Sequence, residues 1–144
     1  MKNLLFIGHF FGPGGYERHC RLILKGLVEE SILPSLIAFP YTHLTTKLTP
    51  DLELLITEGL KRPIQPGVPV MFVCVPDLIF KQRPDGSRGP IYGRKNISYT
   101  TFEADRICKD WVQIGNMLDL TIVTNNVLKG VWVNSGVDEK KVDV

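Results

Sequence analysis

The chain has 144 residues, which is one domain or part of one, and its hydrophobic content of 44% is enough for a core. A net charge of +2 argues against a nucleic-acid binder, and three widely spaced cysteines with no C-x-x-C pair indicate neither a disulfide framework nor a zinc site. The N-terminal apolar run is interrupted by His9 and is too short to cross a bilayer, so we expect a cytoplasmic domain. In that compartment the three cysteines are expected to be buried, reduced thiols.

Buried strands and amphipathic helices alternate along the chain. The first strand is predicted at Leu4 to Ile7, and an apolar stripe predicts a helix from about Gly15 to Glu30. The later predicted elements are a strand at Leu36–Phe39, a short helix at Pro50–Ile56, a strand at Val70–Val75, a strand at Ile97–Thr100, a helix at Cys108–Leu118, a strand at Leu120–Thr124, a helix at Asn126–Asn134 capped by Asn125, and a strand from Val142. This alternation predicts an α/β, Rossmann-like fold with a mostly parallel sheet and helices on both faces.

A long irregular loop is predicted at Pro76–Asn96. It contains five basic residues, namely Lys81, Arg83, Arg88, Arg94 and Lys95. Basic loops are most often simply solvated, and contact with phosphate or with an acceptor is the alternative interpretation.

The turn between the first strand and the first helix is the most informative segment. Gly14 and Gly15 have no side chain, so a phosphate can approach the backbone N–H groups at the start of the helix. His9 stands where the strand ends, and parallel sheets bind their ligands at that end. Two alternatives stay open: any tight turn favours glycine, and His9 can simply hydrogen-bond to the turn.

Several common sites are not supported by the pattern. Glu17 stands in place of the third glycine of a dinucleotide-binding motif, and Phe39–Tyr41 offers no carboxylate after the second strand. No Gly-Lys-Ser/Thr follows the glycines, and no G-x-S-x-G occurs. His9, His19 and His43 lie on different predicted elements, so no metal site is expected.

Three segments in succession carry a family pattern. They are Pro13-Gly14-Gly15-Tyr16-Glu17-Arg18, then Tyr99-Thr100-Thr101-Phe102-Glu103-Ala104-Asp105-Arg106 with Trp111, and then Thr124-Asn125-Asn126 with Ser135-Gly136-Val137-Asp138-Glu139-Lys140-Lys141-Val142. Together they resemble the N-terminal, acceptor-side domain of the retaining glycosyltransferases with two Rossmann-like domains (the GT-B fold, group 1 type).

The resemblance implies transfer of a sugar, of the hexosyltransferase type, from a nucleotide-diphosphate sugar to a glycan, lipid-linked or small-molecule acceptor. No cofactor and no divalent metal are implied. It assigns Gly14 and Gly15 to the donor diphosphate loop, and Thr101 and Glu103 to the cleft or acceptor side. We assign His9 to the cleft or acceptor side as well, from its position at the end of the first strand. The resemblance identifies no catalytic residue.

Two parts of the pattern are less specific. Glu17 and Arg18 match the first motif, but a partner for the helix dipole and a surface cation explain them equally well. Many relatives carry a histidine after the fourth strand, where this chain has Thr100-Thr101, which puts a histidine-assisted step in doubt.

The resemblance also implies a C-terminal, donor-binding domain that these residues do not include. We therefore expect the isolated chain to be inactive and to bind nucleotide sugar weakly or not at all. Many relatives act on lipid-linked acceptors, but no amphipathic basic helix here indicates a membrane surface. The alternatives are a non-catalytic binding module and another nucleotide-binding α/β domain, for example one of flavodoxin-like topology.

Overall fold

A computed structural model describes residues 3–39, 46–80 and 93–144. The chain divides into two compact units, Met1–Val73 and Cys74–Val144, and each combines parallel strands with helices. The predicted α/β class with parallel strands flanked by helices is therefore confirmed.

The first unit is built around a buried central strand. Its described elements are β1 (Leu5–Gly8), α1 (Gly15–Glu29), β2 (Ser35–Ala38), α2 (Pro50–Lys61) and β3 (Val70–Val73). The strand order is β2-β1-β3, and both pairs are parallel. Every residue of β1 is buried, which explains its continuous apolar sequence.

The order in which strands are added to the sheet reverses at β1. The chain passes from β1 to one neighbour, β2, and then returns to the other neighbour, β3. Open α/β sheets bind ligands at such a reversal, outside the carboxyl ends of the strands. The residues that follow β1 therefore stand at the expected position for a ligand site.

The second unit packs its helices on an aromatic and aliphatic core. Its described elements are α3 (Pro76–Phe80), β4 (Asn96–Thr100), α4 (Lys109–Met117), β5 (Leu120–Val123), α5 (Asn126–Asn134), a 3₁₀ turn (Glu139–Lys141) and β6 (Val142–Asp143). The strand order is β4-β5-β6, all parallel. Trp132 is fully buried in a cluster with Val123, Leu128, Val137 and Val142, against which Trp111 packs.

Two predicted boundaries were wrong by more than two residues. The helix predicted to end at Ile56 continues to Lys61, because its apolar stripe runs on to Gly59, where a Cβ would lie 2.5 Å from Cγ of Leu36. The predicted loop Pro76–Asn96 begins with α3, whose first turn carries Asp77 at the positive end of the helix.

Part of the predicted basic loop lies outside the described residues, including Lys81, Arg83 and Arg88. Lys95 donates a hydrogen bond of 2.9 Å to Oδ1 of Asp119. This bond, together with one from the backbone N–H of Asn96, lowers the pKa of the Asp119 carboxyl below its usual value. Lys95 therefore takes part in a contact within the fold, between the start of β4 and the start of β5.

Replacing two helical glycines of the second unit by alanine is expected to change the free energy of unfolding in opposite directions. A Cβ on Gly115 would lie 2.8 Å from Cζ3 of Trp132, whereas a Cβ on Gly130 would have no neighbour within 4 Å. We expect Gly130→Ala to raise the free energy of unfolding by up to about 1 kcal/mol, because alanine has the higher helix propensity. Gly115→Ala should lower it by roughly 1–3 kcal/mol through overpacking. Urea denaturation of both variants measures the difference, and equal stability of the two would contradict the expected packing.

Candidate functional site

The glycine turn lies at the carboxyl end of β1 and opens to solvent. Gly14 is the N-cap residue of α1, in an extended conformation with φ −70° and ψ 174°. Pro13, Gly14 and Gly15 are exposed, and a Cβ on Gly15 would have no neighbour within 4 Å. The first N–H groups of a helix have no intrahelical acceptor, so a ligand can reach them here.

The carboxylate of Glu17 folds back onto this turn. A Cβ on Gly14 would lie 2.5 Å from Oε2 of Glu17 and 3.3 Å from its Cδ. Glu17 is the third residue of α1, the position from which a glutamate side chain reaches back towards the N-cap residue. A negative charge is favourable at this end of the helix dipole. The chain's own anion therefore lies beside Gly14, where a ligand phosphate was expected.

Arg21, on the second helical turn of α1, hydrogen-bonds to the loop that precedes the helix. Its Nη1 donates hydrogen bonds to the carbonyl oxygens of Phe10, at 3.0 Å, and Gly12, at 2.8 Å. The motif pointed instead to Arg18, which is exposed and whose backbone N–H donates to the Gly14 carbonyl at 3.1 Å. The only available signal for Arg21 was its position one helical turn after Glu17.

His9 stands half-buried beside the same turn. Its ring centroid lies 4.7 Å from that of Phe39, with the planes inclined by 35°. Burial lowers the pKa of His9 below 6.5, and the charge of Glu17 partly opposes this shift. A neutral imidazole can both donate and accept a hydrogen bond. The fold thus brings His9, Gly14 and Glu17 together beside the carboxyl end of β1.

The stability of the chain is expected to depend on the protonation of His9. As the pH falls through 6.5, the unfolded chain takes up the proton before the native chain does, because the native pKa is lowered. The free energy of unfolding should therefore decrease over this interval and level off below the native pKa. His9→Gln should remove that part of the pH dependence in urea denaturation. An NMR titration that places the pKa of His9 at or above 6.5 would contradict this expectation.

The thiol of Cys20, on α1, packs against β1 and β3. Its Sγ donates to the carbonyl oxygen of Val73 at 3.7 Å, and burial raises the pKa of Cys20 to about 12. A Cβ on Gly8 would lie 2.6 Å from this sulfur, so glycine is needed there for α1 to pack on β1. A buried, protonated thiol is inert as a nucleophile, and Cys20 therefore has a structural role.

The remaining candidates lie in the second unit, directly after β4. Thr101 is half-buried and Glu103 is exposed. Between them, Phe102 packs edge-on against Trp111 with ring centroids 5.5 Å apart and planes at 89°. Phe102 therefore anchors this segment and leaves the Glu103 carboxylate in solvent at the carboxyl end of β4.

Trp111 is linked to a residue that the sequence pattern did not single out. Its Nε1 donates a hydrogen bond of 2.8 Å to Oδ1 of Asp77 in α3. Its ring also stacks on that of Trp132, with centroids 6.4 Å apart and planes inclined by 27°. Asp77 was assigned to the predicted loop, and no local signal pairs it with a tryptophan 34 residues later.

The described ranges hold neither a metal-binding cluster nor a membrane-spanning helix. Within residues 3–39, 46–80 and 93–144, no group of three His, Cys, Asp or Glu side chains is placed to hold a metal ion. His43 lies outside these ranges. In the same part of the chain, every helix is too short or too polar to cross a bilayer.

Comparison with known proteins yields no relative. No protein-family model, curated protein or solved structure matches this chain. Its function is therefore proposed from the residues and their geometry.

Proposed function

We propose that this chain forms the N-terminal, acceptor-side part of a glycosyltransferase that moves a sugar from a nucleotide-diphosphate sugar to an acceptor. The observation that carries the proposal is the solvent-reachable glycine turn at the start of α1, directly after the central strand. An α/β fold alone is shared by many functions, so the proposal depends on this turn and on the motifs that surround it.

The turn suits a departing diphosphate. When the bond between the sugar and the diphosphate breaks, negative charge grows on the phosphate oxygen. The first N–H groups of an α-helix have no intrahelical acceptor, and at the start of α1 the N–H of Gly15 can stabilise that charge. The missing side chains of Gly14 and Gly15 let the phosphate approach closely.

Glu17 and His9 impose conditions on such a ligand. A phosphate beside Gly14 requires the Glu17 carboxylate to swing away, because two anions in contact repel each other. His9, neutral near pH 7, contributes no positive charge and instead offers a hydrogen bond to a sugar or acceptor hydroxyl. The diphosphate is therefore held at this turn by N–H groups, and the affinity of the isolated chain is weak.

The test uses UDP as the probe and the amide signals of the chain in ¹H–¹⁵N NMR spectra. We expect UDP to shift the amides of Gly14 to Glu17 with a Kd of about 1 mM or weaker. Gly15→Asp should abolish these shifts, because it places a second carboxylate at the turn. Gly26→Asp is the matched control: it lies on the same helix, and a Cβ there meets no neighbour within 4 Å. Shifts that lie elsewhere, or that survive Gly15→Asp, would overturn the proposal.

A further inference from the structure

We propose that Trp111 is a stacking platform for a neutral sugar ring, and that the acceptor of this chain is a saccharide. The inference rests on the proposed function, which requires an acceptor but leaves its chemistry open. The platform consists of Trp111 with Phe102, Trp132 and Asp77, all in the second unit.

The ring of Trp111 is held in one orientation and remains partly exposed. Asp77 accepts its N–H at 2.8 Å, Phe102 meets it edge-on, and Trp132 stacks against it. A rigid aromatic ring loses little conformational entropy when a ligand binds to it. The C–H face of a pyranose is apolar and matches such a surface, in the way that ligand sites combine aromatic walls with a few polar groups.

The charged residues that neighbour the platform residues in the sequence favour a neutral, hydroxyl-rich ligand over an anion. Over Glu103–Asp110 together with Asp77 there are four carboxylates and two basic side chains. Asp77, Glu103, Asp105 and Asp110 are all exposed. Carboxylates accept hydrogen bonds from sugar hydroxyls and repel phosphates.

The cluster also contains an unused hydrogen-bond donor. The indole N–H of Trp132 is buried and has no acceptor among the residues that the structure describes. A buried donor without a partner is unfavourable, because it has given up its hydrogen bonds to water. Such a group calls for an ordered water molecule as its partner, and here it belongs to the fully buried ring on which Trp111 stacks.

The experiment exploits the position of the two tryptophans. Trp111 and Trp132 are the two tryptophans of the sequence, so its ¹H–¹⁵N spectrum has two indole signals, and both report on this cluster. The probes are the methyl glycosides of glucose, mannose and galactose, and N-acetylglucosamine. We expect at least one of them to shift the Trp111 indole signal saturably, with a Kd of about 10 mM or tighter.

Variants separate stacking from simple packing. Trp111→Leu should weaken saccharide binding at least tenfold, and Trp111→Phe should retain most of it, as read from saturation transfer to the sugar. Asp77→Ala, which leaves the indole in place but removes its acceptor, should weaken binding even if Trp111→Leu does not fold. Glu103→Gln should weaken binding, whereas Glu139→Gln, at another exposed carboxylate of the same unit, should not.

Three outcomes would overturn the inference. One is that none of the four saccharides moves either indole signal. Another is that tetramethylammonium moves them and the neutral sugars do not, which would define a cation site. The third is that the shifts persist unchanged in Asp77→Ala. The UDP shifts at Gly14 to Glu17 are read in the same spectra, so a failure at the platform is distinguished from a failure at the turn.

Discussion

Glu17→Gln is expected to bind UDP about tenfold more tightly than the unsubstituted chain, a difference of about 1.4 kcal/mol. The Glu17 carboxylate lies against Gly14 in the place where a phosphate would bind, so removing its charge removes a competitor and a repulsion. Two unit charges 4 Å apart interact by about 1 kcal/mol in water and by about 4 kcal/mol near a protein surface, which brackets this value. Calorimetry or the NMR titration with UDP measures the change.

The control for this substitution is Glu29→Gln, at the opposite end of the same helix, which should leave UDP binding unchanged. Glu17→Gln should also lower the free energy of unfolding by about 0.3–1 kcal/mol, because α1 loses the acidic residue of its first turn. Affinity and stability are thus expected to move in opposite directions. Unchanged or weaker UDP binding by Glu17→Gln would show that the carboxylate does not compete for the site.

Gly8→Ala is expected to lower the free energy of unfolding by roughly 1–3 kcal/mol. The added Cβ would lie 2.6 Å from Sγ of Cys20 and 3.3 Å from the carbonyl oxygen of Val73. Neither atom can move freely, since Cys20 is fully buried and Val73 belongs to β3. Because Gly8 directly precedes the site, UDP should also shift the amides of Gly14 to Glu17 less than in the unsubstituted chain.

A double-mutant cycle separates this contact from a general effect of the substitution. Cys20→Ala removes the sulfur that the new Cβ would meet, so Gly8→Ala should cost at least about 0.5 kcal/mol less in that background. Urea denaturation of the four proteins provides the coupling energy. Strict additivity of the two substitutions would show that Cys20 is not what excludes a side chain at Gly8.

Local features of the sequence were enough for the fold class and for one helix in detail. The apolar run of β1 and the stripe of α1 predicted both elements to within one residue. Asn125 was expected to cap the helix after β5, and its Oδ1 accepts the N–H of Leu128 at 2.9 Å. The following helix ends before Gly136, whose φ is +116°. These features depend on contacts within a few residues, which a pattern records directly.

The candidate site was only partly predictable. The pattern placed His9 and the glycine turn after β1 and Glu17 at the start of α1, but it did not indicate where the Glu17 side chain lies or that Arg21 hydrogen-bonds to the loop before the helix. Those details depend on side-chain rotamers and on the path of the loop, which the spacing of a motif does not determine.

By itself, the sequence determined the alternation of parallel strands and helices and the position of the glycine turn, because both follow from hydrophobic periodicity and from backbone freedom at short range. Only the tertiary structure decided the lowered pKa of His9 and the hydrogen bond from Trp111 to Asp77. The first is an effect of burial and the second joins residues on separate elements, so both arise only once the chain has packed.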